Sequence, residues 1–106
     1  MNDIVDLDDV ATELRRVVDR LNSLPLSKVE AVLPQCHDTA VLIVDNARVL
    51  DPTIPAGTAL PVVGATAAGA QLAVVGRDFL SIAKTHGVDG AGAVGSAVME
   101  LRRSLP

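Results

Sequence analysis

The 106-residue chain carries nine Lys and Arg against thirteen Asp and Glu, a formal charge of −4, with one cysteine and one aromatic residue, Phe79. That length suits a single helical domain over residues 1–106, and the acidic balance argues against a surface that tracks nucleic-acid phosphates, which depends on neutralising backbone charge. One cysteine excludes an internal disulfide and multi-cysteine zinc or iron–sulfur sites, and 49% hydrophobic residues exclude a wholly disordered chain.

Apolar residues open at Ile4, Leu7, Val10, Ala11, Leu14, Val17, Val18 and Leu21. Read through 4, 7, 11, 14, 18 and 21, they alternate steps of three and four and predict an amphipathic helix. Asp3 or Asp6 can accept from its first free amides, and Asp8 and Asp9 suit the positive helix start. The acids along this helix read as a solvated face, with Glu13–Arg16 and Arg15–Asp19 at pairing distance. Pro25 disfavours a helical residue before it and ends the helix. Core is the expected use of this stripe, with recruitment of a partner's helix as the alternative.

Ser27-Lys28-Val29-Glu30 has the spacing of a capping box. The stripe that follows runs through Val29, Leu33, Cys36, Ala40, Ile43, Ala47 and Leu50. Pro34 falls within it, so the spacing predicts either a short helix followed by a longer one or a single kinked helix. The apolar run 40–44 also fits a buried strand, but the seven-residue repeat on both sides favours helix.

Residues 51–64 hold Pro52, Pro55 and Pro61 and form a stiff, extended connection. A third stripe, Ala65, Ala68, Leu72, Val75, Phe79 and Ile82, ends near His86-Gly87, where glycine can take a left-handed cap. Asp89 is placed to cap a last helix with Ala91, Val94, Val98, Leu101 and Leu105 on one face. The pattern predicts an all-α fold, a four-helix bundle made of two antiparallel helical hairpins joined by the Pro-rich loop.

Residues 52–76 contain no charge, yet the prolines leave only the 16 residues 61–76 for a continuous helix. That is about 24 Å, short of the roughly 20 apolar residues that span a bilayer, so a buried helix is expected. The acidic start, Met1–Asp6, has no basic or apolar signal region. Together with the unpaired Cys36 it points to the cytoplasm.

Three motifs could carry chemistry. Gly90–Gly95 matches G-x-G-x-x-G, but the chain ends 11 residues later, without the second strand a dinucleotide crevice needs. Gly64–Gly69 has phosphate-loop glycine spacing, with Ala70 and Gln71 where Lys and Ser or Thr are required. In Cys36-His37-Asp38, neighbouring helix positions point about 100° apart, so an inert core thiol is expected rather than a nucleophile pair. A weak metal set of His37, Asp38 and His86 is the alternative.

The segments Thr12–Leu26 (TELRRVVDRLNSLPL) and Gln71–Leu80 (QLAVVGRDFL) resemble uncharacterised small helical proteins of high-GC Gram-positive bacteria. Seven Arg against two Lys agree with such an origin, and the resemblance implies no activity. Length and acidity are also similar to the small secreted partners of type VII secretion. Their Trp-x-Gly turn and C-terminal Tyr motif have no counterpart in a chain without Trp or Tyr.

No residue is expected to be catalytic, cofactor-binding or metal-ligating, and no cofactor is expected. The function expected is a non-enzymatic helical interaction module that self-associates or takes a helical protein partner, with no nucleic-acid role and no membrane role. The alternative is a carrier of a small apolar ligand, in a cavity between helices left by the Ala-, Val- and Gly-rich third and fourth stripes.

Overall fold

Asp6 sets the start of the first helix. In the computed structural model, which describes residues 6–54 and 60–106, the Asp6 carboxylate accepts from the Asp8 amide at 2.9 Å and opens α1, Leu7–Ser23. Expectations resting on Asp3, Ile4 or residues 55–59 lie outside the described residues. Leu24 and Pro25 end the helix as expected.

The buried line of α1 runs through Val10, Glu13, Leu14, Val17 and Leu21. It is therefore turned away from the 7, 11, 14, 18 line: Ala11 and Val18 are only half-buried, whereas Val10 and Val17 are enclosed. Glu13, placed by its charge on the solvated face, belongs to the buried side. The apolar stripe of α1 is wider than the core requires, and its surplus edge stays open.

The short-then-long alternative holds at Pro34. Helix α2 covers Leu26–Ala31 and α3 covers Leu33–Leu50, with Pro34 in the first turn of α3, where its missing amide costs nothing. The capping box does not form. Helix α2 begins one residue early, behind Pro25, so Ser27 already lies inside the helix, and the Pro25 carbonyl accepts from the Lys28 amide at 2.9 Å. The run 40–44 is helical, with Ala40 and Ile43 fully buried.

Helix α4, Ala68–His86, starts one turn after Ala65 and buries Leu72, Val75, Phe79 and Ala83. Gly87 follows with φ +118°, a positive φ as expected, though with an extended ψ of 172°. Helix α5, Ala91–Ser104, buries the expected Ala91, Val94, Val98 and Leu101, while Leu105 lies just past its end. Its cap is Gly90 in the left-handed conformation rather than Asp89, which stands one residue too early to reach the free amides.

All five helices of the described residues contribute to one core that includes Phe79, which is 0% exposed. The two expected hairpins are not the packing units. Helices α1 and α3 each pack against both α4 and α5, and the pairs expected as hairpins, α1 with α3 and α4 with α5, share no extensive interface. Contacts give the directions. Gly76 faces Leu14 and Gly69 faces Leu21 and Asn22, so α4 runs antiparallel to α1. Glu13 meets Arg102 and Arg20 meets Pro106, so α5 runs alongside α1. Leu33 and Cys36 lie with Ala68 and Gln71, whereas Val44 and Ala47 lie with Val75 and Ile82, so α3 and α4 run the same way.

This parallel pair explains the Pro-rich connection. The chain must return along α3, about 27 Å for 18 residues, before α4 can begin beside the start of α3. Ile54 packs at the far end of that path and Val62 and Val63 at the near end, where Gln71 Nε2 donates to the Pro61 carbonyl at 2.7 Å. A short turn would have forced the antiparallel hairpin. The nine residues 24–32 between α1 and α3, and the two positive-φ glycines between α4 and α5, likewise carry the chain across the core rather than to a neighbour.

Candidate functional site

Chemistry in this chain depends on where its few reactive and charged side chains are placed. Cys36 faces the core at 3% exposure, and burial pushes its thiol pKa up, away from the reactive thiolate. His37 and Asp38 follow it in a shallow recess closed by Leu33, Pro34, Val62 and Gln71. The His37 Nδ1 is buried there without a hydrogen-bond partner among the described residues.

The weak metal set is not assembled. His37 and Asp38 sit near the start of α3, whereas His86 ends α4 close enough to Asp51, at the far end of α3, to act on its charge. Among the described residues, no group of three His, Cys, Asp or Glu side chains is placed to hold a metal ion. Asp51 is held below the usual carboxylate range by the side-chain and backbone hydrogen bonds of Thr53, with a smaller contribution from His86.

Within the two glycine motifs, Gly69 and Gly95 serve packing, Gly90 is the left-handed cap of α5, and Gly64 has open space around it. A Cβ on Gly69 would lie 2.5 Å from Asn22 Oδ1, and Gly95 is buried within α5. Gly76, in neither motif, makes a tight apolar contact: a Cβ there would lie 2.8 Å from a Leu14 methyl. Leu14 thus fills the space that Gly76 leaves between α1 and α4.

The charged side chains divide by seam. Between α1 and α5, the Glu13 carboxylate accepts from Arg102 Nε at 2.6 Å and from Arg16 Nη1 at 2.9 Å, with its side chain only 11% exposed. Arg20 donates through Nε and Nη2 to the Pro106 carbonyl. Arg48 pairs with Asp45 and Arg103 with Glu100. Sequence spacing finds the local Glu13–Arg16 pair but has no means of finding Arg102, 89 residues away.

Between α1 and α4 lies a different surface, an open groove of about 430 Å³. Ala11, Leu14 and Val18 from α1 and Ala73 and Leu80 from α4 make its apolar floor. Ala11 and Val18 are the surplus edge of the α1 stripe. The rim carries Arg15, Arg77 and Lys84, with Asp19 as its one acid among the described residues. The expected Arg15–Asp19 pair does not close, and none of the three cations has a carboxylate partner among the described residues. The α4 half of this rim is visible in the sequence as a seven-residue spacing. The groove exists only because α4, not α3, lies against α1.

No described helix is long and apolar enough to cross a membrane. Comparison with family models, with curated proteins and with solved structures finds no match.

Proposed function

We propose that this chain is a non-enzymatic helical interaction module that self-associates, built as a four-helix bundle of α1, α3, α4 and α5 with α2 as an appended turn. The observation that carries the reading is the distribution of apolar side chains that the filled core does not take up. Some of them floor the α1/α4 groove. Others stand at the two ends of the helices: Val49 (77% exposed) and Val88 (47%) at one, Leu26 (54%) and Val62 (81%) at the other. Apolar surface at both ends suits copies meeting end to end.

Native mass spectrometry of the purified full chain tests this reading, since without Tyr or Trp the protein is nearly invisible at 280 nm. The expected result is a dimer or larger species with no added mass, reduced to monomer by Val88→Asp. A bare monomer would overturn self-association, and a monomer with a fixed extra mass would make the chain a carrier.

A further inference from the structure

We infer that the α1/α4 groove receives an amphipathic helix of another protein, one whose apolar stripe is flanked by Asp and Glu. This rests on the interaction-module reading and names the partner's chemistry.

Of the nine Lys and Arg in the chain, Arg16, Arg20, Arg48, Arg102 and Arg103 are engaged by carboxylates or a carbonyl. Four remain without such a partner among the described residues: Arg15, Lys28, Arg77 and Lys84. Three of those four line this one groove, in a chain that is acidic overall. Cations beside exposed apolar surface, unanswered within the molecule, are complementary to an acidic amphipathic partner.

Their spacing selects a helix. Arg77 and Lys84 lie seven residues apart, two turns or about 10 Å along α4. Arg15 stands across the groove at the level of Arg77, because its neighbour Leu14 touches Gly76. Charges spread over two turns match acids repeated along a helix face rather than a single carboxylate headgroup. The floor has the matching form: the small side chains of Ala11 and Ala73 lie across from Leu80 and Val18 and leave room for a partner's larger apolar side chains. A second copy docking through the same groove is disfavoured, because it would set six cations against two acids.

The test uses the full chain and two labelled helical peptides of about 18 residues, each with a leucine stripe, one flanked by Glu and the other by Lys. Fluorescence anisotropy is expected to show the Glu peptide binding at least tenfold tighter than the Lys peptide, and weakening as salt rises. In the variant R15E/R77E/K84E, whose fold is checked by circular dichroism, the preference should reverse. Equal binding of the two peptides, no binding of either, or an unchanged preference in the variant would overturn the inference. So would binding to phosphatidylglycerol vesicles in place of the Glu peptide, which would assign the groove to a membrane surface. Native mass spectrometry reads self-association without either peptide, so failure here leaves that part of the broader reading to its own measurement.

Discussion

Helix α1 has two seams, and they use charge in opposite ways. Along α5, Glu13 sits nearly out of solvent and is answered by Arg102 and Arg16. Along α4, the close contact is apolar, Leu14 over Gly76, and the charges stand outside it as Arg15, Asp19, Arg77 and Lys84. A carboxylate taken out of water must be hydrogen-bonded, and once it is, those groups are committed to holding the fold. Cations left at a rim cost the fold little and remain free to meet another molecule. The contrast separates a structural seam from a surface available for recognition.

The largest expected effect removes both seams together. Phe79 is 0% exposed and α4 packs through it into the shared core, so Phe79→Asp would bury an unpaired charge where an aromatic ring filled space. The expected outcome is loss of the helical circular-dichroism signal at 25 °C, the penalty exceeding the roughly 5 kcal/mol at which a marginal domain unfolds. A folded Phe79→Asp protein would refute the assignment of α4 to the core.

The second effect separates the seams. Glu13→Gln should lower stability in urea denaturation by about 1–3 kcal/mol, because Arg102 and Arg16 lose the charge they converge on. Arg77→Gln should change it by no more than about 0.5 kcal/mol, since no fold contact of its charge is removed. Equal losses in the two variants would erase the distinction between a structural and a recognition seam.

Why part of this was legible in the sequence, and part was not, follows from the range of the forces involved. Local chemistry narrows the first cap to Asp3 or Asp6, marks Pro34 as a break or kink, and identifies the buried line of α5 through Ala91, Val94, Val98 and Leu101. Each depends on residues within a turn or two. Two local signals were outcompeted, Ser27 by a helix beginning at Pro25 and Asp89 by the left-handed Gly90. The burial of Glu13 was hidden by rotation of the α1 stripe: once the core line passes through Val10, Leu14, Val17 and Leu21, position 13 falls inside it. Which helices become neighbours is a long-range outcome. Short turns alone suggested hairpins, whereas close approach at Gly69 and Gly76 draws α4 onto α1 and leaves α3 and α4 parallel. The groove follows from that pairing, so its rim could not be assembled from spacing alone.

The smallest expected effect concerns a charge that neither seam uses. Asp51, at the end of α3, accepts from both the hydroxyl and the amide of Thr53, and these bonds favour its ionised form. Because the folded pKa is depressed, the contribution to stability is present above the unfolded value and is lost as pH falls through the folded one. Thr53→Val removes the side-chain donor but keeps the amide. In an NMR titration Asp51 should therefore titrate below the usual aspartate value in the parent and move part of the way back in the variant, with the melting temperature at neutral pH almost unchanged. His86 gives the control. Its attraction for Asp51 is the weaker influence, so His86→Gln should move the Asp51 titration less than Thr53→Val does. A larger shift on removing His86 would mean that long-range charge, rather than local hydrogen bonding, governs this end of α3.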